Sequence, residues 1–235
     1  MDLAATIEEL VAANHILFHE GVVDGFGHVS ARHPGRADRF LLARSMAPAQ
    51  VQAADILEFD LGGTLVDPNG PRPYLERFIH GEIYRARPDV MAVVHSHSPA
   101  VVPFGVVPEA PLRPICHMSG FLAEAVPVFE IRDTAGPATD MLIRTPALGV
   151  ALAERLGPAA VVLMRGHGST VVGNTIRQAV FRAVYTEVNA RLQADALRLG
   201  PPVFLTAEEA AAASATNDGQ IDRAWNLWRE AAARP

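Results

Sequence analysis

Residues 160–173 read AVVLMRGHGSTVVG, two apolar and largely β-branched runs that meet at a turn where Gly166 and Gly168 flank His167. Each run is short and rich in residues that favour a pleated strand, so two strands joined directly by a tight turn are expected. Strands joined without a long crossover are antiparallel neighbours, which rules out a strictly alternating parallel βαβ chain. The DILEFDLGGTLVD stretch (55–67) repeats the pattern as a hairpin around Gly62-Gly63, and RFLLARS (39–45) is a further short strand. DVMAVVHSHS (89–98) reads as another buried strand. Apolar residues at helical spacing, among them Leu3, Ile7, Leu10 and Leu17, predict a helix over 2–20. Further helices are expected from Tyr74 to Arg87, ending before Pro88, and over 175–199 and 207–233, with RDTAGPATD (132–140) a loop. The expected architecture is α/β: one domain over residues 1–235, core about 5–200, with a central mixed or antiparallel sheet covered by helices.

Composition narrows the partners. The 26 acidic residues exceed the 20 basic ones, a net charge of −6 without any Lys/Arg-rich block, which argues against nucleic acid. Cys116 is the single cysteine, so an internal disulfide and a thiolate metal cage are excluded, and a reducing cytoplasm is expected. MDLAATIEEL places acids where a signal peptide carries a basic start, and no apolar run reaches membrane-spanning length.

The chemistry lies in the histidines. Side chains at i and i+2 of a strand share a face, so His95 and His97 emerge side by side, their Cα atoms about 6–7 Å apart. That spacing lets two imidazoles reach one ion at about 2.0–2.1 Å. An isolated H-x-H pair equally describes histidines satisfied within a sheet. His167, exposed by its flanking glycines at the end of another strand, adds a third imidazole, and three suffice to hold a divalent ion with positions left for substrate. Glu76 lies where the dipole of a helix beginning near Tyr74 favours a carboxylate. It is either a solvated helix-terminal acid or a proton-transfer group beside the metal.

These stretches together, PYLERFIHGEIYRARPDVMAVVHSHS followed by RGHG, with GFGHVSAR near the start, resemble the class II aldolase/adducin family over roughly residues 5–200. The resemblance implies an α/β/α fold, a cyclic homotetramer with sites near subunit interfaces, His95, His97 and His167 as metal ligands, and Glu76 as catalytic acid/base. The sugar-phosphate aldolases of the family cradle a phosphate with small polar residues in three loops. This chain instead has Gly27-His28, then Arg44, Ser45 and Met46, then Tyr74-Leu75. Such residues offer fewer amides and hydroxyls to a phosphate. They suit an aromatic acid better: Arg44 to grip a carboxylate bidentately, Tyr74, Leu75 and Met46 as flat apolar surface, His28 and Ser45 as donors. Arg77 is expected to pair with an acid such as Asp60 or Glu82. His117, in PICHMSG, is a further site candidate from the same or a neighbouring subunit.

The combination of FGHVSARHP, LARSMAP, YLERFIHG and VVHSHSPAVVPFG resembles the branch of hydroxyaromatic dicarboxylate decarboxylases, including those of 3-hydroxy-2-methylpyridine-4,5-dicarboxylate and dihydroxyphthalates. What this implies is a metal-dependent, non-oxidative decarboxylase of a hydroxylated aromatic carboxylate, with Glu76 as proton donor and Arg44 anchoring a second carboxylate. The alternatives are an aldolase cleaving a sugar phosphate or related hydroxy-keto compound, and a non-catalytic scaffold like adducin. Manganese is expected for the decarboxylase and zinc for the aldolase, with iron or cobalt also compatible.

Overall fold

The computed structural model of the protein describes residues 2–122 and 125–233. The strands are β1 (His28–Arg32), β2 (Arg39–Ala43), β3 (Ile56–Asp60), β4 (Ala92–Ser96), β5 (Val128–Phe129), β6 (Val161–Met164) and β7 (Gly168–Gly173). They form one sheet in the order β3-β2-β1-β4-β7-β6-β5. Only β5 and β6 pair parallel, and all other neighbours are antiparallel, so the sheet is mixed. β4 lies at its centre, with His28 of β1 opposite His95 on one side and Thr170 of β7 opposite His95 on the other.

Strand alternation divides the interior into two cores. Val29, Ala31, Ala92, Val94 and Val171 pack on one face against α1 (Leu3–His19), α5 (Ile176–Leu199) and α7 (Ile221–Ala232). Phe40, Leu42, Val93, Val162 and Val172 pack on the other against α2 (Arg77–Ala86) and α4 (Pro146–Leu156). The result is a helix–sheet–helix sandwich, as expected. By the same parity His28, Ser30 and His95 point with Val93 toward the α2 side, which sets the location of the site.

Several expected elements differ in detail. The helix carrying Glu76 starts at Arg77, not Tyr74, leaving Glu76 at the N-cap. Arg44 bridges Pro73 and the Tyr74 hydroxyl bonds the Met46 carbonyl, so residues 73–74 are held extended and the helix begins only beyond them. The helix expected over 207–233 is two, α6 (Ala207–Asp218) and α7, parted at Gly219-Gln220. The break lets α6 pack on the turn at 117–122 while α7 turns Ile221, Trp225 and Trp228 onto the α1/α5 core. Residues 132–135 form a helical turn, α3 (Arg132–Ala135), where a loop was expected, stopped by Gly136 at φ 79°. After Gly63 the 55–67 hairpin returns with a single bridge, Phe59 to Leu65, and Pro68 ends the pairing. Arg77 pairs with neither Asp60 nor Glu82. It donates to the Gly63 and Tyr74 carbonyls instead, because Glu82 is taken by Arg85.

Candidate metal centre

Gly168 explains why β4 and β7 bring their histidines together. A Cβ built there would lie 2.0 Å from the Ser96 carbonyl oxygen and 3.1 Å from His97 Cα. Only glycine permits so close an approach of the turn after His167 to the end of β4. Gly166, at φ 64°, adopts the left-handed conformation that directs the turn.

The consequence is a tight cluster. His95 and His97 Nε2 are 3.2 Å apart, and His97 and His167 Nε2 are 3.0 Å apart. Glu76 Oε2 lies 3.6 Å from Nε2 of both His95 and His167. All four ligand atoms fall within 4.8 Å of one another. The His95 Nδ1–H donates to the Ser169 carbonyl at 3.1 Å, which leaves Nε2 as the lone-pair nitrogen aimed at the others. Convergent lone pairs at these separations repel in the absence of a cation, and ligands of one ion at about 2.0–2.1 Å have nearly this spacing. The donor set therefore fits a divalent metal, with carboxylate and imidazole also compatible with manganese, iron or cobalt. Burial pushes His95 well below the ordinary imidazole range and lowers His97 as well, which favours in both rings the neutral form that binds metal.

Glu76 is held from both sides. Its Oε1 accepts the Ile143 amide at 2.9 Å, in a segment where Met141 takes the left-handed backbone at φ 71°. Burial raises its carboxyl, but the hydrogen bond from His167 and the Ile143 amide outweigh that and hold it at about 2. It is a carboxylate, not a carboxylic acid, in the free site.

A cleft of about 330 Å³ opens above the cluster, lined by His28, Ser45, Met46, Tyr74, Leu75, Glu76 and His97, with Phe26 and Leu142 at its edge. That volume is at the small end of ligand sites, the scale of a single-ring molecule. Larger hollows beside Phe104 and beside Arg177 lack the imidazoles, so size alone does not identify the site. His28, Ser45 and Tyr74 reach the cleft as expected from their positions. Arg44 does not line it. Its Nε donates to Asp55 at 2.7 Å, since that acid lies directly beside it and is itself fixed by the Gln52 amide. His117 is also apart from the cleft of its own chain, exposed on the 117–122 turn with its carbonyl accepting from Asn217.

Two contributors escape the sequence reading. Phe26, 69% exposed, stands at the cleft mouth with its ring 6.4 Å from that of His97. His80 is completely buried one helical turn after Glu76, with Nε2 2.7 Å from His28 Nδ1. The i, i+4 spacing of Glu76 and His80 was its available signal.

Comparison with known proteins accords with this geometry. Residues 8–194 match the family described as Class II Aldolase and Adducin N-terminal domain. The chain is 37% identical to decarboxylase tropJ of Talaromyces stipitatus, over 97% of this chain and 95% of that protein. It is 32% identical to a 3,4-dihydroxyphthalate decarboxylase of Terrabacter, over 98% and 97%. Among solved structures, an aldolase II superfamily protein from Pseudomonas syringae superposes with a TM-score of 0.80 at 24% identity, over 98% of this chain and 93% of that one. L-fuculose 1-phosphate aldolase from Glaciozyma antarctica does so with a TM-score of 0.78 at 23% identity, over 97% and 90%.

Proposed function

The chain belongs to the class II aldolase and adducin family, and from that premise we propose that it is a divalent-metal-dependent, non-oxidative decarboxylase of a hydroxylated aromatic carboxylate. The observation that carries the proposal is the pairing of the His95–His97–His167–Glu76 cluster with cleft walls made of Met46, Tyr74 and Leu75. Small hydroxyl-bearing residues, which a phosphate would need, are scarce there. Decarboxylases of similar sequence, one of them acting on 3,4-dihydroxyphthalate, support the substrate class.

A divalent ion held by His95, His97 and His167 would supply Lewis-acid charge that favours ionisation of a ring hydroxyl. The protein's own groups do the rest. Tyr74, Met46 and Leu75 sandwich the ring and hold the carboxylate-bearing carbon near Glu76. Glu76, held ionised, accepts the proton released by the hydroxyl and returns it to that carbon. The protonated ring is a cyclic dienone bearing a carboxylate. Its C–C bond to the carboxylate breaks, the electron pair returns to the ring, aromaticity is restored and CO2 leaves. Low exposure of the cluster keeps water from competing for the proton. Manganese as the resident ion, a homotetrameric assembly and a cytoplasmic setting belong to the same reading. Among the described residues no helix is long and apolar enough to cross a membrane.

The test is CO2 release from 3,4-dihydroxyphthalate and related ortho-hydroxy aromatic acids by manganese-loaded protein. Chelator and His97→Ala are expected to abolish it. Metal-loaded protein that releases no CO2 across such a panel, yet cleaves a sugar phosphate to dihydroxyacetone phosphate, would reverse the assignment.

A further inference from the structure

A buried hydrogen-bond chain runs away from the metal centre beneath α2. His28 Nδ1 lies 2.7 Å from His80 Nε2, His80 Nδ1 lies 2.6 Å from Ser30 Oγ, and Ser30 Oγ lies 2.8 Å from the Tyr84 hydroxyl. Ser30 and His80 are fully buried, Tyr84 is 1% exposed and His28 4%. The sequence places all four on one side: His28 and Ser30 alternate along β1 toward α2, and His80 and Tyr84 lie one turn apart on the facing side of that helix.

Counting hydrogens gives the chain a direction. Each hydroxyl and each neutral ring carries one hydrogen, so every link has one donor. If the chain ran outward from His28, Tyr84 would be left holding a hydrogen with no acceptor among the described residues. In a fully buried position that costs a lost hydrogen bond. Run inward, every hydrogen is used: Tyr84 donates to Ser30, Ser30 to His80 Nδ1, and His80 Nε2–H to His28 Nδ1. The remaining hydrogen of His28 then sits on Nε2. That nitrogen has no protein partner among the described residues and is not among the buried unpartnered atoms, so it faces the cleft that His28 lines.

We propose that His80, Ser30 and Tyr84 are positioning residues that lock His28 as a hydrogen-bond donor through Nε2, directed at a carboxylate or phenolate oxygen of the bound substrate. The identity of that oxygen rests on the decarboxylase reading above. The direction of the chain does not. The Tyr74 ring, centred 4.6 Å from that of His28, and the His95 ring at 5.0 Å keep the imidazole from rotating out of line. Specificity follows, because an acceptor oxygen is welcomed at this position and a donor group is not.

The experiment is long-range 1H–15N correlation of protein labelled at histidine and loaded with diamagnetic zinc, recorded without substrate. The expected spectrum shows His28 protonated at Nε2. Ser30→Ala, which removes the link between Tyr84 and His80, should leave His28 a mixture of tautomers and lower kcat/KM on 3,4-dihydroxyphthalate about tenfold or more at unchanged metal content. His80→Gln, whose amide can still donate to His28 Nδ1, should retain the Nε2–H form. A wild-type His28 protonated at Nδ1 overturns the proposal, as does a Ser30→Ala protein whose His28 tautomer and kcat/KM both match wild type. Because the spectrum needs no substrate, an absence of CO2 release counts against the decarboxylase reading alone.

Discussion

Gly168→Ala should dismantle the metal centre without touching a ligand. The added methyl would lie 2.0 Å from the Ser96 carbonyl oxygen, where ordinary contacts start at 3.4 Å, and the obstacle is backbone that cannot swing aside. The end of β4 and the turn bearing His167 must therefore part by roughly 1.4 Å. His97 and His167 Nε2, now 3.0 Å apart, would be carried to about 4.4 Å. Two nitrogens bound at about 2.1 Å to one ion can be separated by no more than about 4.2 Å even when opposite each other. Either one ligand is lost or the strands are forced back together at a cost of about 1–3 kcal/mol. Calorimetric titration of metal-free protein with manganese should show at least a 10- to 100-fold weaker site. Thermal unfolding of the same metal-free samples separates that loss from any global destabilisation. Ser169→Ala, which keeps the carbonyl that orients His95, serves as the control and should bind normally. A Gly168→Ala protein that binds manganese with wild-type affinity would refute the claim that this close approach assembles the site.

Glu76→Gln should lower kcat by about 10² to 10⁴ while manganese content persists in elemental analysis, since it removes proton transfer but leaves three imidazoles. Burial holds His80 at about 3 against an ordinary 6.5, so below pH 6.5 the unfolded chain takes up a proton that the folded chain refuses. The stability contributed by this group is complete above pH 6.5 and is lost as pH falls toward 3, at up to about 1.4 kcal/mol per unit. Urea unfolding of His80→Gln across that range should show a shallower acid limb by that amount, and an unchanged limb would contradict it. Trp225→Ala should cost about 3–5 kcal/mol in the same assay, because Trp225 is 1% exposed and seats α7 on the α1/α5 core. A cost below 1 kcal/mol would mean that α7 contributes little to that core.

Where the sequence was legible, the signal was local. An apolar run ending in H-x-H, and a second run ending in a histidine between glycines, are patterns carried within a few residues, and periodicity placed most strands and helices. α4 was legible as well, with Thr145 as its N-cap, Pro146 in its first turn and Gly157 after its end, although no helix was expected there. The start of α2 was not, because Pro73 is bridged to Arg44 and Tyr74 is bonded to Met46, partners about 28 residues earlier in the chain that hold both residues out of the helix.

The residue types able to bind a divalent ion, their order, and the exclusion of a thiolate cage follow from the sequence by itself. They are properties of side chains and of short-range backbone alternation. Whether those side chains meet depended on the tertiary structure, because β4 and β7 are separated by more than 70 residues and become neighbours only through sheet pairing at Gly168. Pairing of β2 with β3 set Arg44 beside Asp55, and the packing of α2 on the sheet brought His80 under His28. Side chains equally polar in the sequence were sorted into the cleft or out of it by the competing partner each one met on folding.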